Sequence, residues 1–185
     1  TTEIYTLSLH DALPILVMEW AKDDDRLRER VMLFAARRAG PETGAAAARR
    51  AFESAVRVRD FVHYREASAW ARGVDDAIDN IAQLLSDGQA VAVVELCESA
   101  LQLLVGAAGG IDDSGGHLSD LRDRLQDIHF QACKKARPDP VALAKRLFDW
   151  GLHSELGVFF GAIEQYSEIL GASGLQAYRQ LAEKE

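Results

Sequence analysis

Apolar residues recur three and four positions apart along almost the whole chain, and no segment alternates apolar and polar residues as a half-buried strand does. This spacing places apolar side chains on one face of an α-helix. The pattern therefore predicts an all-α fold. The predicted helices cover approximately residues 25–39, 43–56, 61–73, 74–85, 89–104, 118–132, 140–148, 156–170 and 175–181.

Glycine and proline mark most of the predicted helix ends. Breaks in the spacing occur at Gly40-Pro41, Ser86–Gly88, Gly106–Gly116 and Gly171–Gly174. Asp139-Pro140 predicts a helix start, because an aspartate side chain can cap the first turn and Pro140 needs no N–H there. Short connections favour antiparallel neighbours. We expect antiparallel helical hairpins stacked as a short α-solenoid, with a compact helical bundle as the alternative.

Two of these helices carry specific expectations about burial. The first is expected to bury one face made by Leu27, Val31, Phe34 and Ala35. The helix at 118–132 has a 3-4-3-4 stripe made by Leu118, Leu121, Leu125, Ile128 and Ala132. Leu125 lies at the centre of that stripe, so we expect it to be deeply buried.

The first fifteen residues, TTEIYTLSLHDALPI, match codon for codon the translation of a widely used sequencing adapter. We therefore expect residues 1–15 to be an artefactual adapter-derived segment outside the fold, in which His10 and Asp11 carry no evolved chemistry. The alternative is a genuine amino-terminal strand or targeting peptide. Residues 16–185 are expected to form a single all-helical domain, as a fragment of a longer protein.

Charge is distributed unevenly along the chain, whose formal net charge is −8. Residues 16–72 contain twelve Lys/Arg against nine Asp/Glu, a balance of +3, whereas residues 73–185 contain nine against eighteen, a balance of −9. Binding to a nucleic acid needs clustered basic side chains. A nucleic acid is therefore disfavoured as a partner, and only the amino-terminal third can attract an acidic one.

The composition also indicates where in the cell the protein is located. No uncharged apolar run approaches the roughly 18 residues that a membrane-spanning helix needs, so no membrane partner is expected. Two cysteines, Cys97 and Cys133, are too few for a disulfide framework or a four-thiolate zinc site. No charged leader with a cleavage site is recognisable. These features favour a cytoplasmic protein.

Three segments of the carboxy-terminal part carry a resemblance: Ile111-Asp112-Asp113-Ser114, Ala136–Pro140, and Gly174-Leu175 with Tyr178-Arg179. Together with the sequence around them, from about Arg57 to Glu185, they resemble an uncharacterised bacterial family of helical-repeat, tetratricopeptide-like domains. The resemblance implies no catalytic residue, because the function of that family is unknown. Some members are associated with SWIM-type zinc-finger proteins, but the CxCx(n)CxH pattern of that finger is absent from this sequence. Gly115 departs from the family pattern, where a third acidic residue is expected.

Loop motifs for ions and phosphates are incomplete. Asp112, Asp113 and Ser114 lie between glycines, but they lack the ligand spacing of an EF-hand. We expect Asp113 or Ser114 to cap the following helix instead. The glycines follow neither GxGxxG nor GxxxxGK[ST], so no nucleotide site is predicted.

Candidate metal ligands on helices are also too few. His129 and Cys133 lie four residues apart, a spacing suited to two ligands on one helix face, and Cys97 could approach from the preceding helix. Two ligands do not make a zinc site. Asp75 and Asp79 are one turn apart and are expected on a solvated face. We predict no catalytic, cofactor-binding or metal-binding residue, and no cofactor.

Aromatic and basic residues are interleaved between residues 57 and 72. On a helix, Phe61, Tyr64, Ser68 and Ala71 would share one face with arginines around it, which is suited to an acidic peptide or an anionic surface. The alternative is a core stripe with a soluble rim. The predicted partner-binding residues are Arg57, Arg59, Tyr64, Arg65, Trp70 and Arg72. Trp150, beside Phe148 and Leu152, is expected to be packed.

These observations support a non-enzymatic interaction module, because stacked helical hairpins leave an extended face for a protein or peptide partner. The second hypothesis is an accessory or regulatory region of a nucleic-acid-associated zinc-finger protein. The third is an enzyme whose site forms only in three dimensions. The sequence does not indicate an oligomeric state.

Overall fold

A computed structural model describes residues 9–185, and of residues 9–13 and 15 it describes the backbone alone. The part of the expected artefactual segment at residues 1–8 therefore lies outside the described residues. The described chain is all-α, as predicted. Its elements are α1 (Leu9–Asp23), α2 (Asp25–Ala39), α3 (Pro41–Val56), α4 (Tyr64–Ser86), α5 (Ala90–Ala107), a 3-10 turn (Ala108–Gly110), α6 (His117–Ala136), α7 (Pro140–His153) and α8 (Ala162–Ala182).

The chain divides into two compact units, the first ending at Gly44 and the second running from Ala45 to Glu185. In the first unit, α1 packs on α2, and the Asp24 carboxylate accepts the N–H of Leu27 at 3.0 Å to cap α2. The buried face predicted for α2 is wrong: Leu33 is buried and Phe34 is half exposed. Phe34 instead lies beneath the guanidinium of Arg38, 5.5 Å from its ring centroid.

The second unit is a stacked helical fold whose helix directions follow from its cross-helix contacts. Arg124, in the first half of α6, contacts the middle of α4, and Lys135, near the end of α6, contacts the last turn of α4. Helices α4 and α6 therefore run parallel, and α5, which packs on both, runs antiparallel to them. Helices α7 and α8 form the next antiparallel pair, and α8 packs on α6.

Helix α4 differs from its prediction at its start. The chain between α3 and α4 is extended rather than helical, and Val62 forms an isolated parallel bridge with Ile111. Val62 donates its N–H to the carbonyl of Gly110 and accepts the N–H of Asp112, both at 2.9 Å. These bonds take the backbone groups that a helix through Phe61 would need. From Tyr64 onward, the two predicted helices form one continuous helix.

The segment 154–161 is a second correction. The spacing of Leu156, Phe159 and Phe160 predicts a helix, but the chain forms successive turns and α8 begins only at Ala162. Gly157, Phe159 and Gly161 all have left-handed φ angles, of 64°, 56° and 71°. An α-helix does not accommodate that conformation.

The break predicted between the last two helices is confirmed as a kink within α8. Gly171 has φ 53° and ψ −164°, a conformation that residues other than glycine rarely adopt. Gly174 is buried where α8 crosses the start of α7. A Cβ atom there would lie 2.9 Å from the carbonyl oxygen of Pro140, so the close helix crossing requires glycine.

Leu125 is fully buried, as predicted, in the core shared by α4 to α8. Among the described residues, one segment, Ala90–Gly110, is apolar and long enough to cross a membrane by length and composition alone. In the fold this segment contains α5, whose Val93, Leu101 and Leu104 are fully buried against other helices. That burial is typical of the core helix of a soluble protein.

Two predicted helix caps are confirmed. The Asp139 carboxylate accepts the N–H of Ala142 at 2.7 Å, and Pro140 is the first residue of α7. The Asp113 carboxylate accepts the N–H of Leu118 at 2.9 Å, which satisfies one free donor in the first turn of α6. Asp112 instead binds the hydroxyl of Ser114, at 2.5 Å, and closes the turn before α6.

Candidate functional site

An open cleft of about 410 Å³ lies where the α3–α4 connection passes the end of α5. Its lining residues on the first side run from Val56, the last residue of α3, to Phe61. Those on the other side are Gly106 and Ala107 at the end of α5 and Gly110 in the 3-10 turn that follows. The connection approaches this 3-10 turn closely, since a Cβ atom on Gly110 would lie 3.1 Å from a methyl group of Val58. We call this site the basic cleft.

The basic cleft contains two of the predicted partner-binding residues, Arg57 and Arg59, together with Asp60 and the half-exposed ring of Phe61. Tyr64 and Arg65 follow it directly in the first turn of α4, and both are exposed. Within residues 9–185, the side chains of Arg57, Arg59 and Arg65 make no ion pair or hydrogen bond. Their charges are therefore available to another molecule.

The other two predicted residues lie further from the cleft. Arg72 is exposed on α4, eight residues after Tyr64, which places it roughly 12 Å along the helix axis. Trp70 is half-buried and packs against the core, and its indole Nε1 is buried without a hydrogen-bond partner. Of the predicted surface, Arg57 and Arg59 line the cleft, and Tyr64 and Arg65 follow it in the chain. Trp70 is largely a packing residue. Trp150 is also packed against the core, as expected.

A buried polar network in the second unit was not foreseen from the sequence. His129 of α6 lies at its centre and is fully buried. Its Nδ1 is 2.7 Å from the hydroxyl of Tyr166 on α8, and its Nε2 is 3.3 Å from a carboxylate oxygen of Glu98 on α5. The same oxygen accepts a 2.8 Å hydrogen bond from Nε of Arg146 on α7. Four helices therefore meet through one chain of polar contacts.

The protonation states in this network follow from its environment. Burial, the largest single influence, raises the pKa of Glu98, but the hydrogen bond from His129 and the charge of Arg146 outweigh it, and the net pKa lies below the usual value. Glu98 is therefore ionised at neutral pH and can only accept, so Nε2 of His129 donates to it. Burial raises the pKa of Tyr166, which keeps its hydroxyl protonated.

The two cysteines lie beside this network. The Cys133 sulfur is 3.8 Å from the His129 ring, so the predicted helix-face pairing is present. Burial raises the pKa of Cys133 to about 12, and burial together with Cys133 raises that of Cys97. Both thiols therefore stay protonated at neutral pH, a form that is a poor nucleophile and a poor metal ligand. In the described part of the chain, no three His, Cys, Asp or Glu side chains are grouped to hold a metal ion.

The network has little access to solvent. His129 and Tyr166 are fully buried, and the ring of Phe159 covers His129 with a centroid distance of 4.9 Å. A substrate could reach only Glu98 and Arg146, whose side chains are 21% and 38% exposed and already pair with each other. The arrangement joins helices, and it offers no open position for a reacting group.

The aspartates of α4 also have a structural partner. The Arg124 guanidinium pairs with Asp75 through one nitrogen and with Asp79 through the other, linking α6 to α4. The two aspartate side chains remain about half exposed or more, so the predicted solvated face is present with an ion pair on it.

The chain matches a known protein family over residues 10–185, which is nearly its whole length. The chain belongs to DUF6880. DUF6880 is described as a family of unknown function, in agreement with the resemblance to an uncharacterised family. No curated protein and no solved structure matches the chain. Membership of DUF6880 therefore assigns no role to the basic cleft or to the buried network.

The sequence carries a signal for part of the network. His129 is four residues after Leu125 and four before Cys133, so it lies on the apolar stripe of α6. A histidine on a buried stripe needs polar partners, because each unpaired buried nitrogen is costly. The identity of those partners, Glu98 and Tyr166, depends on how α5 and α8 pack around α6, which residue spacing does not show.

Proposed function

We propose that this member of DUF6880 is a non-enzymatic, cytoplasmic protein–protein interaction module that binds an acidic peptide segment of its partner in the basic cleft. The observation that carries the proposal is the pairing of free charge with exposed aromatic surface. Arg57, Arg59 and Arg65 have no ionic partner in the described chain, and Phe61 and Tyr64 are 51% and 59% exposed beside them. Arginine, tyrosine and tryptophan are enriched among the hot spots of protein interfaces.

The charge of the cleft comes from its side chains. Helices α3 and α5 end there, at Val56 and Ala107, and their last carbonyl groups favour cations rather than anions. The start of α4 favours anions instead. Its N-cap residue, His63, makes no side-chain capping hydrogen bond, so backbone N–H groups of the first turn are left without a side-chain cap. Since these backbone contributions oppose one another, selectivity for an acidic segment depends on the arginines.

A nucleic-acid partner is less favoured. Asp60 lines the cleft, and Asp112 lies close to His63, which precedes α4. Nucleic-acid binding gains affinity from a row of cations along the phosphate backbone, which acidic residues interrupt. A peptide needs only a few well-placed ionic contacts and one apolar anchor.

Fluorescence anisotropy with a labelled acidic peptide tests the proposal. The probe is a ten-residue Asp/Glu-rich peptide containing one phenylalanine, titrated with the full chain in 0.1 M salt. The double variant Arg57→Glu with Arg59→Glu is expected to weaken binding at least about tenfold. Binding is also expected to weaken in 1 M salt, because the screening length falls from about 10 Å to about 3 Å.

A matched control separates the cleft from overall charge. Arg26→Glu with Arg30→Glu changes the net charge equally, at two exposed positions of α2. This control should bind the peptide as the unmodified chain does, and Arg57→Lys with Arg59→Lys should keep much of the affinity. Equal weakening by the cleft and control variants would show non-specific attraction and would overturn the proposal.

A further inference from the structure

The second unit presents an aromatic residue to solvent in the turns between α7 and α8. Phe160 is 82% exposed, the highest exposure among the large apolar side chains that the structure describes. Its neighbour Phe159 is buried and has a left-handed φ of 56°, a conformation that is unfavourable for a non-glycine residue. That backbone conformation turns one ring into the core and the other outward.

The turns that carry Phe160 are held in place by α6. Arg122 donates to the carbonyl of Leu156 at 2.6 Å, and the side-chain oxygen of Gln126 accepts the N–H of Phe159. The N–H of Phe160 is bonded to the carbonyl of Gly157 at 3.1 Å. Phe160 is therefore an anchored projection, and little backbone freedom is lost when it binds. We call segment 154–161 the aromatic projection.

The sequence around the aromatic projection is acidic, although Arg122 of α6 contacts the projection. No lysine or arginine occurs between Arg146 and Arg179. The same stretch contains four acidic residues, Asp149, Glu155, Glu164 and Glu168. Glu155 lies within the projection and Glu164 is in the first turn of α8. The projection therefore has the composition expected of a ligand for the basic cleft, an exposed apolar ring in an acidic segment.

The aromatic projection and the basic cleft lie at the same end of the helix stack. Helix α4 begins at this end and α5 ends there, as the Val62–Ile111 bridge shows. Helix α6 also begins there, and its Arg122 and Gln126 hold the projection. Two copies that meet at this end, related by a two-fold axis, can exchange both contacts at once.

We propose that the occupant of the basic cleft is the aromatic projection of a second copy of this chain, so that Phe160 of each protomer enters the cleft of its partner. The inference rests on the proposed function, because it uses the same cleft and the same arginines. A volume of about 410 Å³ is within the range of roughly 300–1,000 Å³ of ligand pockets, and it accommodates a phenyl ring with its backbone.

Two variants of the full chain act oppositely in this arrangement. Phe160→Ala removes the ligand and frees the cleft, whereas Arg57→Glu with Arg59→Glu removes the cleft and leaves the ligand. In sedimentation velocity the unmodified chain should dimerise, and each variant should weaken dimerisation at least about tenfold. Phe160→Ala should bind the acidic probe peptide more tightly than the unmodified chain, because the competing projection is gone. Val91→Ala, an exposed apolar residue at the opposite end of the stack, is the matched control.

A mixture of the two variants gives the decisive measurement. Each lacks one half of the contact, so the mixture should form a heterodimer through the intact cleft of one and the intact Phe160 of the other. Circular dichroism confirms that each variant folds. A monomeric unmodified chain, or a dimer that neither variant weakens, would overturn the inference. If the chain is monomeric while its arginines still bind the probe, the proposed function stands and only the choice of occupant is wrong. If the chain is monomeric and its arginines do not bind the probe, the basic cleft is not a binding site and both proposals are wrong.

Discussion

Two regions of the second unit use charged and aromatic residues in opposite ways. In the buried network, Glu98, His129, Arg146 and Tyr166 are paired with one another across four helices. In the basic cleft, the arginines of the α3–α4 connection have no partner within the described chain, and the aromatic rings beside them are half exposed. The difference follows from burial. A polar group removed from water is costly unless it is paired, whereas one left in water remains available to another molecule.

This comparison separates residues that maintain the fold from residues that are free to bind. A buried pair is destabilising to break, because the remaining partner is left without a hydrogen bond. An exposed arginine can be replaced at little cost to the fold, since water solvates it on its own. The two regions should therefore respond differently to substitution. Changes in the network should lower the stability of the fold, whereas changes in the cleft should weaken association with a partner.

The largest expected effect concerns the apolar packing that encloses the network. Leu125 is fully buried one turn before His129. Leu125→Ala should lower the free energy of unfolding by roughly 2–5 kcal/mol, through lost burial and the remaining cavity. Chemical denaturation measures this change. A loss below about 0.5 kcal/mol would mean that Leu125 is not at the centre of the core.

The next effect concerns the polar contact inside that packing. Tyr166→Phe keeps the ring and removes the hydroxyl that lies 2.7 Å from Nδ1 of His129. The nitrogen is then buried without a partner, which should cost about 1–3 kcal/mol in denaturation experiments. Tyr178→Phe, in a half-buried ring of the same helix, is the control and should be nearly neutral. Similar values for the two variants would contradict the importance of the network.

A smaller, pH-dependent effect is expected at Glu98. Its pKa in the folded chain is below the ordinary value of 4.5, so the carboxylate stabilises the fold above about pH 4.5, and this contribution disappears as the pH falls through the folded value. Glu98→Gln should therefore cost about 1 kcal/mol at pH 7 and progressively less towards pH 3. Glu95→Gln, at an exposed site one turn earlier, is the control for replacing a glutamate of the same helix. A cost at Glu98 that is constant with pH would exclude the ionised form as its source.

The smallest stability effect is expected in the basic cleft. Arg57→Glu with Arg59→Glu should change the free energy of unfolding by no more than about 0.5 kcal/mol, because both side chains are exposed and unpaired. Thermal and chemical denaturation of the double variant provide the measurement. Destabilisation above about 1 kcal/mol would mean that the arginines stabilise the fold, and the contrast between the two regions would then be wrong.

Local chemistry in the sequence was sufficient for the fold class and for several helix ends. The apolar spacing predicts the helices because an amphipathic helix must bury one face, and the caps at Asp113 and Asp139 follow from short-range hydrogen bonding. The sequence also concentrates arginine and aromatic residues between 57 and 72, five of which line one cleft or directly follow it in the chain. Each of these features depends on residues that are close together in the chain.

Only the tertiary structure decided the features that depend on distant residues. The bridge from Val62 to Ile111 keeps the chain before Tyr64 extended, and the contacts from α6 hold segment 154–161 in turns although its spacing suits a helix. Likewise, the partners of His129 come from α5 and α8, 31 and 37 residues away. Helical periodicity reports which face of a helix is apolar, but not which neighbour covers that face. Pairing, turn geometry and the position of a cleft are therefore set by how the helices pack.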